Sequence, residues 1–317
     1  MVRECKRNGV GVFLWVLISA AGWLLMGTVV GLWGCVNSGV QEEESDGEIH
    51  FLDVGQGLAV LLEQGGRHAL YDAGPDSVGI LDTLFSRGID TLEWVVISHN
   101  HRDHGGGMLE LPSGPGRGAW RPKVYVRRFY VGPDTSGGFV RDSVLRIAKS
   151  FEIPVDTLYR GDLLSLGTLT FKVLWPARFL RVEGNGASLV LRGAAESRAG
   201  SEDPTSFLLT GDLDSAGEKM LLELSRDIHA DLLQVGHHGS SGSSSLRFLT
   251  SVSPRQAVIS VGRDNPYGHP TEAVLRKLEY ALNAPADSFG TISSLSRTDR
   301  DGSVSYRILP GVGILRE

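Results

Sequence analysis

Cysteine is nearly absent from this 317-residue chain: Cys5 and Cys35 are its only two, both near the N-terminus. No disulfide framework and no thiolate metal site can therefore form beyond residue 35, so any metal there must be held by His, Asp, Glu or Asn. A basic excess is lacking too. Lys and Arg number 31 against 37 Asp and Glu, for a net charge of −6. Arg3, Lys6 and Arg7 against Glu4 put +2 in the first 40 residues, which leaves −8 for the rest. Such a domain is not a general polyanion binder, because phosphate backbones are held mainly by Lys and Arg. Arg117, Arg121, Lys123, Arg127 and Arg128 form one local cluster of cations, read here as a solvated strand face. No repeat of fixed period is visible.

Long apolar runs are missing after residue 41, but one precedes it. The stretch from Asn8 to Gln41 is uncharged, and its apolar part, about Val10 to Val36, is long enough to span a bilayer. Basic residues before it and Glu42, Glu43 and Glu44 after it orient the N-terminus inward and the remainder outward. "LWGC", ending at Cys35, resembles a bacterial lipoprotein box, with Trp33 a poor fit; an uncleaved single-span signal anchor is the alternative. The expected organisation is a signal or anchor segment (1–36) forming one hydrophobic helix, a polar acidic linker (37–48), and a globular domain (49–317), extracytoplasmic and membrane-anchored in a bacterium.

From Ile49 the pattern changes to short apolar strands with glycine turns, "IHFLDVGQG", "LAVLLEQGG" and "RHALYDAGP", which predict an antiparallel meander. "DSVGILDTLFSRG" shows helical spacing and a glycine stop. "LEWVVIS" and "KVYVRRFYV" read as strands, "DLLSLGTLTFKVLW" as a hairpin, and 193–206 as a surface loop. In the last third, "FLLTGD", "ADLLQVGHHGS" and "QAVISVGRDNPYGHP" each end an apolar strand in Gly with His or Asp before a helix. Polar groups gathered at the carboxyl ends of strands are the signature of an open α/β site.

The densest polar cluster is "HNHRDHGGG", residues 99–107. A strand end that bends can aim His99 and His101 at one point and Asp103 and His104 at another nearby. That mix of imidazole and carboxylate suits two divalent cations, and the glycines would let the backbone pass close to them. A bridging carboxylate is still needed, for which Asp212 is the best candidate, and a further imidazole, for which "VGHHGS" offers His237 or His238.

"HNHRDH", "LLTGD" and "VGHHGS" resemble the metallo-β-lactamase superfamily. "FLDVGQG", "YDAG", "SLVL", "AVISVG", "YGHP" and "RTDRDG" narrow the likeness to the extracytoplasmic hydrolase domain of the ComEC competence proteins, over about residues 49–307. The resemblance implies an α/β fold, a four-layer αββα sandwich. It implies two divalent ions, zinc or alternatively manganese: His99 and His101 on the first, Asp103, His104 and a "GHH" histidine on the second, Asp212 between them. We expect His237, which follows the strand directly, to be that ligand and His238 to act on substrate, so that Asp103, Asp212 and His238 carry the chemistry. Asp53 and Asp72 are expected to orient metal-bound histidines, and His269 to sit at the rim; for Asp53 and Asp72 turn capping is the plainer alternative. His50, His68 and His229 are read as structural. The likeness breaks in two places. No histidine occurs from 105 to 211, so Asn185 stands where a third ligand of the first metal would arrive, and Leu58 replaces a usual acid. The implied activity is hydrolysis by metal-activated water of a phosphoester or nucleic-acid-like substrate. An acyl hydrolase (lactonase or β-lactamase type) or a non-catalytic envelope protein are the alternatives, and no protein partner is evident.

Overall fold

The computed structural model describes residues 46–317 apart from 77, 112–123, 135–137, 196–203, 226 and 283–293. The apolar N-terminal segment, most of the linker, and Arg117, Arg121 and Lys123 lie outside the described residues. Among the described residues no helix is long and apolar enough to cross a membrane. The first strand, Gly47–Phe51, begins two residues before the expected domain start.

The expected meander is present: Gly47–Phe51, Ala59–Gln64 and Arg67–Ala73 pair antiparallel. Trp94–Ile97, Phe129–Val131 and Val155–Thr157 extend the same sheet in parallel. Val304–Leu309 and Gly313–Arg316 return to its other edge, giving eight strands. The second, seven-stranded sheet repeats the plan. Leu163–Leu166, Leu169–Trp175, Val190–Ala195 and Thr205–Leu209 pair antiparallel, and Leu232–Gln234, Gln256–Ile259 and Ser294–Arg297 follow in parallel.

The two-residue period of these strands sorts their side chains between layers. Val60, Leu62, Phe171, Leu191, Phe207 and Leu209 fill the core between the sheets. Their neighbours Ala59 and Leu61 face outward beneath Ile80–Ser86 and Phe139–Ser150. Val190, Leu208 and Leu233 face outward beneath Ser215–Leu224, Leu246–Val252 and Glu272–Leu282. The result is the four-layer αββα sandwich. Phe171 joins the sheets, edge-on to Trp94 at 5.2 Å and to Phe207 at 5.7 Å, contacts worth about 0.5–1.5 kcal/mol each beyond buried area.

One expected strand is broken. "KVYVRRFYV" splits into Tyr125–Val126, paired with Thr91–Leu92 in a small sheet, and Phe129–Val131 in the main one. A straight strand buried on both faces would sink one of the adjacent arginines into the core. The bend instead lets Arg127 reach Glu93 at 3.2 Å and Arg128 reach Asp156.

Candidate metal centre

Parallel strands in both sheets deliver their carboxyl ends to one place. Asp72 comes from the end of Arg67–Ala73, His99 follows Trp94–Ile97, Asp212 follows Thr205–Leu209, and His238 follows Leu232–Gln234. His101, Asp103 and His104 lie on or beside the one-turn helix Arg102–Gly105. Two sets of donor atoms converge: Asp103, His104, Asp212 and His238, and His99, His101 and Asp212, each set within 4.8 Å. Asp212 belongs to both.

Hydrogen bonds fix how the buried rings face. His104 Nδ1 lies 2.7 Å from Asp72 Oδ2, and His238 Nδ1 lies 2.8 Å from the Ser260 carbonyl. A carboxylate and a carbonyl can only accept, so both rings donate through Nδ1. The Ser98 hydroxyl donates to Asp72 Oδ2 at 2.7 Å, which leaves its oxygen to accept from His99 Nδ1 at 3.0 Å. When neutral, all three rings therefore turn Nε2 inward as an acceptor, the arrangement of metal-ligating histidines. His104 Nε2 and His238 Nε2 are 3.3 Å apart. His99 Nε2 is buried with no hydrogen-bond partner. Buried imidazole nitrogens and carboxylates gathered this closely are unfavourable unless positive charge lies among them, so the donor set fits divalent cations.

The electrostatics agree. Burial opposes charging His104 and His238, yet Asp212, with Asp72 beside His104 and Asp103 beside His238, raises both above the ordinary imidazole range. Burial lifts the Asp103 carboxyl, but the His238 hydrogen bond and the His104 charge hold it down to about 2. Asp212 is likewise held well below the usual carboxylate range, burial being outweighed by His104 and His238. The carboxylates stay ionised and draw positive charge into a dry site.

The structure exchanges the two histidines of "GHH". His238, 3% exposed, joins the four-residue set; His237, expected there, stands beside it with its side chain 28% exposed. The expectation assumed that the strand direction carries on past Gly236. Instead both histidines are left-handed, at φ 52° and 53°, which costs about 1–3 kcal/mol per residue and turns the second ring inward. Asp72, also left-handed and fully buried, does hold His104. Asp53 does not hold a ring: it is exposed and accepts from Gly55 N at 3.2 Å, capping a turn. Asn185 sits with Nδ2 3.2 Å from His237 Nε2, and the His269 ring lies 5.8 Å from that of His237. The glycine triplet serves packing rather than passage near ions. A Cβ at Gly105 would meet Val140 at 2.2 Å, and one at Gly107 the Ala73 carbonyl at 2.2 Å. His50 bonds Ser305 Oγ, and His68 pairs with Glu63.

Sequence reasoning missed Ser98 and Ser260. Ser98 had a signal, standing directly before the histidine cluster. Ser260 had none, because it acts through its backbone carbonyl.

The model of the metallo-beta-lactamase superfamily matches residues 52–175. The chain is 31% identical over 295 residues to ComE operon protein 3 of Bacillus subtilis (strain 168), covering 85% of this chain and 34% of that protein. It is 32% identical over 267 residues to competence protein ComA of Neisseria gonorrhoeae, covering 83% and 32%. The chain thus spans about a third of the length of these curated relatives. Among solved structures, a mutant of CmlA beta-hydroxylase superposes with a TM-score of 0.50 at 13% identity, over 83% of this chain and 54% of that one, a likeness of fold alone. By family, fold and site, the chain belongs to the metallo-β-lactamase superfamily and carries its hydrolase fold with candidate metal-binding residues. Within that superfamily it resembles the ComEC-type competence proteins.

Proposed function

We propose that this chain is a dinuclear, metal-dependent phosphodiesterase or nuclease, working outside the cytoplasm and tethered to the membrane by its N-terminal segment. The observation that carries the reading is the sharing of Asp212 between two convergent donor sets. His99, His101 and Asp212 would hold one cation, and Asp103, His104, His238 and Asp212 the other. Nitrogen and carboxylate donors without sulfur suit zinc, with manganese the alternative. When bound, such a pair supplies Lewis acidity for the phosphoryl group and for the attacking water.

The protein's own part is to hold and to exclude. Asp72, Ser98 and the Ser260 carbonyl lock three rings in one tautomer. Burial of His99, His104, Asp212 and His238 closes the back of the site, and exposed His101 with half-buried Asp103 and His237 leaves its front open. His269, stacked under exposed Tyr267 at 5.8 Å, stands at that front beside His237. Likeness to a relative named as a competence protein favours a phosphodiester over an acyl substrate.

The test offers the full chain bis-p-nitrophenyl phosphate, nitrocefin and a lactone, with zinc or manganese added back. Metal-dependent phosphodiester turnover is expected. Turnover of nitrocefin or lactone alone would make it an acyl hydrolase, and metal binding without turnover a non-catalytic protein. For the tether, cell fractionation should find the chain on the outer side of a membrane; a soluble cytoplasmic chain would overturn it. Loss of processing in Cys35→Ser would mark a lipoprotein, and no change a spanning anchor.

A further inference from the structure

We infer that His237 is the fourth ligand of the first metal position, completing His99, His101 and Asp212, and that Asn185 positions its ring; this rests on the dinuclear reading above. The two oxygens of Asp212 face different surroundings. Oδ1 lies 3.1 Å from His104 Nε2. Oδ2 has His238 Nε2 at 3.6 Å, His237 Nε2 at 3.8 Å and His99 Nε2 at 4.0 Å. These separations are too long for hydrogen bonds. They are close to the spacing of neighbouring ligands on one cation, roughly 3.4 Å for a tetrahedron with bonds of ~2.1 Å. His99 and His237 thus approach the same oxygen at nearly the same distance. The set of His99, His101 and Asp212 is one donor short of a closed tetrahedron.

The backbone supports the assignment. His237 adopts φ 52° and ψ 46° immediately before His238 at φ 53° and ψ 22°, one left-handed turn that carries both rings. The His237 amide donates to the Gly211 carbonyl at 3.2 Å, which ties this strained turn to the residue preceding Asp212. Both rings are thereby brought to one carboxylate.

Asn185 supplies the orienting contact. Its Nδ2 lies 3.3 Å from His237 Nδ1 and 3.2 Å from Nε2, while its Oδ1 is buried without a partner. Turning the amide over exchanges nitrogen for oxygen, which a hydrogen-bond network alone can assign. Oδ1 then accepts from His237 Nδ1–H, leaving the Nε2 lone pair for a cation.

The test counts metal. The purified full-length chain is titrated with zinc and, separately, with cobalt(II), reading stoichiometry by elemental analysis and calorimetry and ligand change by the visible cobalt spectrum. Wild type should take two ions. His237→Ala should retain one at tight affinity, with an altered cobalt spectrum, and Asn185→Ala should weaken one site by about 10–100-fold. His269→Ala, at the neighbouring ring, should keep both and controls for disturbance of this loop. Two ions at unchanged affinity in His237→Ala would overturn the inference while leaving the dinuclear reading intact. Fewer than two ions in wild type would instead overturn the dinuclear reading itself.

Discussion

His104 and His238 meet Nε2 to Nε2 at 3.3 Å, each with its Nδ1 already committed, to Asp72 and to the Ser260 carbonyl. Two buried ring nitrogens this close, beside the Asp212 and Asp103 carboxylates, call for positive charge, which a divalent ion supplies in place of protons. Divalent ions should therefore raise thermal stability markedly. At about 100 times the dissociation constant a single site adds ~2.7 kcal/mol, or roughly 5–10 °C for a domain of this size. Melting with and without a chelator measures it. A melting temperature indifferent to both chelator and zinc would remove the metal reading.

Asp212→Ala should retain the fold and lose both ions' tight binding, because its carboxylate belongs to both donor sets. Phosphodiester turnover is expected to fall by at least about 10²-fold, the usual cost of one preorganised electrostatic group. Wild-type turnover in a well-folded variant would place the shared carboxylate elsewhere.

Asp72→Asn separates orientation from ligation. Asn tolerates the left-handed backbone at this position but brings no charge to the His104 Nδ1–H. Metal affinity should weaken by about 10–100-fold, with the helical and strand content of the circular dichroism spectrum unchanged. Unaltered affinity would reduce Asp72 to a turn residue.

Glu63 gives a pH signature remote from the centre. The imidazoles of His50 at 3.1 Å and His68 at 3.4 Å hold its carboxyl far below the usual range, against the opposing effect of partial burial. A depressed folded-state pKa means stabilisation present above the unfolded value, about 4.5, and lost as pH falls toward the folded one. Glu63→Gln should thus cost about 1.5–3 kcal/mol near pH 7, a difference that shrinks steadily below pH ~4.5. Denaturant unfolding of both proteins across pH checks it. A gap constant with pH would mean that packing, not charge, is lost.

Much of the fold was written locally. Alternation in "LAVLLEQ" and "TLTFKVLW" is a two-residue period, which sorts side chains to two faces whatever the rest of the chain does. Gly167, at φ 57°, turns the 163–175 hairpin where the sequence marks it. The cluster at 99–104 announced its chemistry because ligands from one strand end must be neighbours in sequence. The tertiary structure decided what depends on distant partners. It gave Asp72 to His104 and left Asp53 at a turn, although both are aspartates at strand ends. It recruited the Ser260 carbonyl, which every residue has and no sequence can flag. It turned His238 inward in place of His237, because a strained left-handed pair reverses the direction that a strand would have continued. Composition and spacing name the donors. Which atoms converge is set by backbone torsions that only the packed sheets hold in place.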